Sequence, residues 1–293
     1  MQLFDKIKQL GAHRWAIGFV KGGMAAVMES DQLECEWVQM PNDRWFADPF
    51  VLDVTDKEIL LLVEDFAYST RKGMISLLHI DRASMEITSR KVLLDLPTHL
   101  SFPAISRKDG RVYVSPESAQ SGQLNLYEYH PTTETLSFVK TICDDVVWDS
   151  YITDAFGEPY LFTATHDDYQ LDIYSWDKNA DRYVPYQSVP SDNPNSRLGG
   201  AVFEYKGRYY YPAQDNSTNY GGAIDIKKID FKEGLFSTKI VKHITSPHPK
   251  YPLGIHTINE YKGLVVIDVK GYKHQWIGPI ITRFVNFKKR FKR

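Results

Sequence analysis

Asp109-Gly110-Arg111 followed by Val112-Tyr113-Val114 is a tight turn feeding a short apolar strand. The pattern returns at Asp56-Lys57-Glu58 before Ile59-Leu60-Leu61-Leu62 and at Gly157-Glu158-Pro159 before Tyr160-Leu161-Phe162. It returns again at Lys206-Gly207-Arg208 before Tyr209-Tyr210-Tyr211 and at Lys262-Gly263-Leu264 before Val265-Val266-Ile267. The turns lie about fifty residues apart, and that period in an all-β chain marks propeller blades. About eight positions upstream of each turn stands a segment with polar or small residues, a spacing that fits one strand per blade. These segments are Ala47-Asp48-Pro49-Phe50, Ser101-Phe102-Pro103, Trp148-Asp149-Ser150-Tyr151, Gly199-Gly200-Ala201 and His256-Thr257-Ile258-Asn259. If each begins the innermost strand of a blade, all five converge on one axial pocket.

Further strand-type runs follow the turns, such as Met74–Ile80, Leu124–Tyr129, Leu171–Trp176 and Ala223–Ile226, each bounded by turn-forming residues. The expected fold is therefore an all-β, five-bladed propeller over residues 1–282, a single domain with a short helix over residues 3–10. The last blade lacks an outer strand, and either Trp15–Val20 or Glu36-Trp37-Val38 is expected to supply it and close the ring. Closure protects strand edges that an open array would expose.

Of the 293 residues, 43% are hydrophobic and 25% charged, which suits an ordinary globular core. A net charge of −2 gives no global pull toward nucleic acid, and no nucleic-acid partner is expected. Cys35 and Cys143 are too few for a disulfide framework and point to a reducing compartment. The N-terminus is charged from Asp5 onward, so no signal peptide is expected and the protein is read as cytoplasmic. Residues 283–293 carry six positive charges, with Phe284, Phe287 and Phe291 on one helical face. That is the pattern of a basic amphipathic helix on an anionic membrane, against the plainer reading of a solvated tail.

The candidate chemistry is carboxylate chemistry. Asp48 and Asp149 start inner strands, and Glu64 and Glu117 end second strands one blade apart. Asp215, beside Gln214, ends another second strand. Acids crowded round one axis raise at least one pKa, an arrangement that glycosidic-bond chemistry uses. Any one of them has the alternative role of accepting backbone N–H groups in turns. Trp45 and Trp148 flank Asp48 and Asp149, suited to sugar stacking or to blade packing. His256 is placed to hold a sugar hydroxyl, a water or an axial cation. Arg44, Arg71 and Lys72 are candidates to contact an anionic group. No zinc, dinucleotide, Walker or serine-hydrolase motif occurs, so no cofactor is expected.

Trp45-Phe46-Ala47-Asp48-Pro49-Phe50, Val63-Glu64, Leu100-Ser101-Phe102-Pro103, Ser115-Pro116-Glu117-Ser118, Asp149, Tyr211-Pro212-Ala213-Gln214-Asp215, Tyr220-Gly221 and His256-Thr257 together carry a resemblance. They resemble the five-bladed propeller at the N-terminus of plant glucosamine inositolphosphorylceramide transferases and in bacterial polysaccharide gene clusters. More distantly, they are similar to the glycoside hydrolase clan of arabinanases, xylosidases and fructosidases. The clan implies an Asp base in the first blade, matched by Asp48, and a Glu acid in the third. Glu117 is the candidate acid here, although it falls in the second blade, and Asp149 is either the tuning carboxylate or an acceptor for a ligand hydroxyl. Trp45, Glu64, Trp148, Gln214, Asp215 and His256 would then orient these groups or hold the sugar. In the plant proteins the transfer is ascribed to a separate glycosyltransferase domain, for which this chain is expected to have no room. Three functions remain: a carbohydrate-active protein acting on a glycosidic bond, a non-catalytic propeller that binds a saccharide or lipid-linked glycan for a partner glycosyltransferase, or an interaction propeller with no small-molecule site.

Overall fold

A computed structural model describes residues 12–165, 170–191 and 197–283. The expected helix over 3–10 and the basic run from Phe284 onward lie outside the described residues. The chain starts with β1 (His13–Val20), a short α1 (Gly23–Glu29) and β2 (Cys35–Trp37). The first complete blade is β3 (Arg44–Val54), β4 (Glu58–Ala67), β5 (Gly73–Asp81) and β6 (Ile87–Leu94). The second is β7 (Ser101–Lys108), β8 (Arg111–Glu117), β9 (Leu124–His130) and β10 (Thr135–Cys143). The third is β11 (Trp148–Thr153), β12 (Tyr160–Ala164), β13 (Gln170–Asp177) and β14 (Arg182–Pro190). The fourth is β15 (Phe203–Tyr205), β16 (Arg208–Asp215), β17 (Ala223–Lys232) and β18 (Leu235–Ile244). Finally β19 (Gly254–Tyr261) and β20 (Leu264–Tyr272) pair with β1 and then β2. The result is a five-bladed propeller of four-stranded antiparallel sheets.

Ring closure takes both N-terminal segments, where the sequence pattern asked for one. β1 pairs with β20 along its whole length, from His13 opposite Tyr272 to Val20 opposite Val265. β2 adds the outer edge by pairing Gly18 with Trp37. The last blade thus joins two strands from each end of the described chain, so opening the ring would strip a long ladder of hydrogen bonds.

Turn chemistry explains the repeat. Lys206-Gly207 and Lys262-Gly263 have φ of 51° and 72°, and 51° and 78°. Two successive left-handed residues make the two-residue hairpin turn whose twist matches that of its strands. Strands packed between neighbouring blades are apolar almost throughout, as in Leu61, Leu62 and Val63, all fully buried. Outer strands such as β18 alternate instead, because one face meets water.

Inter-blade hydrogen bonds fix the ring. Asn259 Nδ2 donates to Pro49 O at 2.9 Å, and its Oδ1 accepts the Ala201 N–H at 2.8 Å, tying blades four, five and one. Arg107 donates to Val51 O and Leu52 O and lies 3.5 Å over the Tyr261 ring.

Candidate functional site

The inner strands kink at the end of the propeller where Asp48 and Asp149 stand. Register shifts fall between Ala47 and Phe50, Ser101 and Ala104, and Trp148 and Tyr151. At each shift one residue is left-handed: Asp48 (φ 49°), Phe102 (φ 41°) and Asp149 (φ 47°). Such backbone costs about 1–2 kcal/mol for a non-glycine residue and collects where side chains are aimed for function. A bulge of this kind re-aims a side chain. Here it points Asp48 and Asp149 into the axial cluster.

One half of the cluster is built by blades one and five. Asp268, on β20, is completely buried and accepts the N–H groups of Asp48 (2.9 Å), His256 (3.2 Å) and Thr257 (2.9 Å). Its Oδ2 also lies 2.8 Å from His256 Nδ1. His256 Nε2 faces Asp48 Oδ1 at 3.3 Å, outside good hydrogen-bond geometry. Asp48 Oδ2 accepts the Phe102 N–H at 3.0 Å. Burial would lower the His256 pKa, but the charges of Asp268 and Asp48 outweigh it and raise it to about 9. Burial would raise Asp268, yet the His256 charge and the converging N–H groups hold it below the usual carboxylate range. Asp48 is raised well above that range by burial, reinforced by Glu64, Asp268 and Asp149 against the pull of His256. Trp15 stacks on the His256 ring at 4.2 Å, and Tyr220 meets its edge at 5.6 Å.

Blades two, three and four build the other half around Arg197. Its Nε donates to Asp149 Oδ2 at 2.7 Å and its NH2 to Glu117 Oε2 at 3.1 Å. Glu117 Oε2 also accepts the Asp149 N–H at 2.9 Å. Gln214 Nε2 donates to Asp149 Oδ2 and to Leu198 O, both at 2.9 Å. Burial and the Asp149 charge raise Glu117 well above the carboxylate range, despite Arg197. Burial would lower Arg197, but Asp149 and Glu117 raise it, so the guanidinium stays charged. The Trp148 ring lies 5.4 Å from Arg197.

The remaining predicted residues fall into place around these halves. Glu64 lies 3.2 Å from His99 Nε2, while His99 Nδ1 accepts the Gly73 N–H at 2.9 Å. The hydrogen bond to Glu64 pulls the His99 pKa upward. Trp45 stacks on Phe66 at 4.5 Å, so one face of its indole is used in packing. Asp215 is turned away from the axis. Its Oδ1 accepts the Ser217 N–H at 2.9 Å, and it groups with Asp225 and His243 on blade four. Arg44 is engaged by Asp43 and Asp65, and Lys72 by Asp95, whereas Arg71 is exposed.

Arg197, Asp268, Trp15 and His99 escaped the sequence reading. Asp268 did leave a signal, a carboxylate between the apolar run Val265-Val266-Ile267 and Val269. Arg197 left none, because it reaches the axis from an irregular segment before β15. Among the described residues, Asp48, His256 and Asp268 have donor atoms within 4.8 Å of one another, a spacing that suits a divalent cation. A protonated His256 already supplies positive charge there, and a metal would have to displace its proton from Asp268.

The profile of the family described as glucosamine inositolphosphorylceramide transferase 1, N-terminal, matches residues 32–245. The chain belongs to this family. The transferase 1 protein of Arabidopsis thaliana is 30% identical over 196 residues, which is 64% of this chain and 26% of the relative. That of Oryza sativa subsp. indica is 27% identical over 201 residues, 63% of this chain and 26% of the relative. This chain therefore spans about a quarter of the length of those relatives. Among solved structures, the RS223 β-xylosidase superposes with a TM-score of 0.55 at 12% identity, covering 78% of this chain and 93% of that one. A compost-metagenome β-xylosidase/α-arabinofuranosidase in complex with xylotriose gives 0.53 at 14% identity, over 79% and 92%. At such identities the likeness is one of fold. The family match places the chain among the N-terminal domains of glucosamine inositolphosphorylceramide transferases, the resemblance that the axial motifs carried.

Proposed function

We propose that the axial site binds a saccharide without cleaving it and serves a partner glycosyltransferase in glycan or glycolipid assembly. The observation that carries this reading is Arg197 bridging Glu117 and Asp149. Hydrolysis needs one carboxyl free to protonate the leaving oxygen and another free to attack or to activate water. Glu117 Oε2 and Asp149 Oδ2 are instead held by the guanidinium, and Gln214, beside them, has no acidic proton to give. Among the described residues, Asp48 Oδ1 and Gln214 Oε1 are buried without a hydrogen bond. Two such acceptors suit the hydroxyl donors of a sugar ring. Xylotriose in the compost-metagenome neighbour and the carbohydrate-related family agree with a saccharide ligand. The compartment proposed is the cytoplasm, at the membrane surface. Among the described residues no helix is long and apolar enough to cross a bilayer.

The raised pKa of Glu117 favours a second reading, since a general acid must be protonated. One experiment separates the two. Calorimetric titration of the full chain with xylotriose and with glucosamine-terminated oligosaccharides should show binding, weakened about tenfold or more by Asp48→Asn. Reducing-sugar assays on the same ligands should stay flat. Sustained sugar release that Glu117→Gln abolishes would overturn the binding reading in favour of glycosidic-bond cleavage. No binding and no release would remove both.

A further inference from the structure

Trp276 is 89% exposed, Ile280 67% and Ile277 49%, three large apolar side chains within five residues. Isolated exposed apolar residues are ordinary, but a contiguous set with an indole at its head marks an interaction surface. The set has a definite place in the fold. β20 runs from the Gly263 turn up to Tyr272, passing Asp268 and then Lys270, whose Nζ donates to Asn219 Oδ1 at 3.0 Å beside the Tyr220 loop. The chain therefore leaves the blade at the end that carries the axial cluster. Lys273 N–H donates to Ala12 O, and its ammonium sits 3.9 Å over the Tyr68 ring, in the loop that follows Trp45's partner strand β4. Trp276, Ile277 and Ile280 thus stand on the face that carries the axial site, and residues 278–283 are helical.

The charge around this patch is positive. Lys250 and Arg71 are exposed there, and Lys250 lies against Gly271 at the end of β20. The carboxylates nearby are engaged, Asp43 by Arg44 and Asp95 by Lys72. The sequence continues from Arg283 with Lys288, Lys289, Arg290, Lys292 and Arg293 among three phenylalanines. Tryptophan and aliphatic side chains ringed by Lys and Arg are the composition that partitions into the headgroup layer of an anionic bilayer. A protein partner of the same chemistry would need a matching acidic, apolar surface; a bilayer supplies both properties at once.

We propose that the face at the axial-site end of the propeller docks on an anionic lipid bilayer, with Trp276, Ile277 and Ile280 seated among the headgroups and Arg71, Lys250 and Lys273 against lipid phosphates. The end of the propeller that carries the axial site then faces the membrane surface, so a ligand displayed by the bilayer is met on that side. Only that consequence rests on the proposed saccharide binding; the docking itself does not.

The test is sedimentation of the full chain with vesicles of phosphatidylcholine alone and of equal parts phosphatidylcholine and phosphatidylglycerol. Pelleting with the mixed vesicles and not with the neutral ones is expected, with loss at high salt. Trp276→Glu combined with Ile280→Glu should cut the bound fraction about tenfold or more, without changing soluble-saccharide affinity. Leu235, 63% exposed at the opposite, turn-bearing end, is the control: Leu235→Glu should leave pelleting unchanged. Brominated lipid should quench wild-type fluorescence more than that of Trp276→Phe. Full pelleting of the double variant, or equal pelleting on neutral vesicles, overturns the proposal. So does a wild-type dimer that the double variant dissociates while vesicle binding is unaffected, since the patch would then join two copies of the chain. A chain that binds vesicles as expected but no sugar would leave the docking standing and remove the saccharide reading alone.

Discussion

The two halves of the axial site solve one electrostatic problem with different cations. In the half made by blades one and five, His256 stands between Asp268 and Asp48, at 2.8 Å and 3.3 Å. In the half made by blades two to four, Arg197 stands between Asp149 and Glu117, at 2.7 Å and 3.1 Å. In each, one carboxylate of the pair, Asp48 or Glu117, is pushed up in pKa by burial. The difference lies in the cation. An imidazolium loses its charge within the range a protein experiences, and a guanidinium does not. One half is therefore pH-sensitive and the other fixed, and the unpartnered Asp48 Oδ1 belongs to the sensitive half.

The largest effect that tests this contrast is expected from Asp268→Ala. It leaves a buried imidazolium and three N–H donors without their acceptor, a loss of about 4 kcal/mol in denaturant unfolding. Asp268 is held below the usual carboxylate range, so its contribution is present above that range and is lost as pH falls through it. An Asp268→Ala variant with near wild-type stability at neutral pH would show that the His256 half is not held by charge.

Arg197→Met should cost about 3 kcal/mol at neutral pH, because Glu117 and Asp149 are left crowded and unpaired. The deficit should shrink in acid, as protonation relieves the repulsion. A deficit that stays constant down to pH 4 would assign Arg197 a packing role through Trp148 instead.

His256→Gln sharpens the comparison by pH alone. The folded-state pKa is raised above the ordinary value of 6.5 to about 9. Its stabilisation is therefore complete below 6.5 and lost as pH climbs through 9. The stability gap between wild type and His256→Gln should narrow by about 3 kcal/mol over that window. The gap between wild type and Arg197→Met should barely move there. Equal pH slopes for the two variants would break the distinction between the halves.

The smallest effect lies outside the site, at the turn end. Lys206 is left-handed in its turn, a conformation asparagine tolerates better. Lys206→Asn should stabilise by about 0.5 kcal/mol, less the small loss of its exposed Glu29 contact. A destabilisation above 1 kcal/mol would mean that this surface contact, and not turn conformation, dominates at the turn end.

How much of this was legible depends on how far each feature acts along the chain. The five blades were readable because a short turn and the apolar strand after it are local, and in Asp109-Gly110, Lys206-Gly207 and Lys262-Gly263 both turn residues are left-handed. Asp48 and Asp149 were readable because each stands at the start of an inner strand, at the same phase of its repeat. Trp45 and Trp148 were read as sugar-stacking candidates from their neighbours Asp48 and Asp149, but nothing local distinguished a free ring face from one stacked on Phe66 or set beside Arg197. Asp215 differs from Gln214 by one position, and in a strand that single step turns a side chain to the opposite face.

The sequence by itself determined the number of blades, the strands that line the axis and the carboxylates they carry, since these follow from period, turn chemistry and alternation within one blade. Tertiary structure alone decided that two N-terminal strands close the ring, and that Arg197 reaches Glu117 across 80 residues while Asp48 meets Asp268 across 220. Whether a buried acid is paired, raised or free depends on charges brought from other blades, and Coulomb interactions act through space with no trace in the order of the chain.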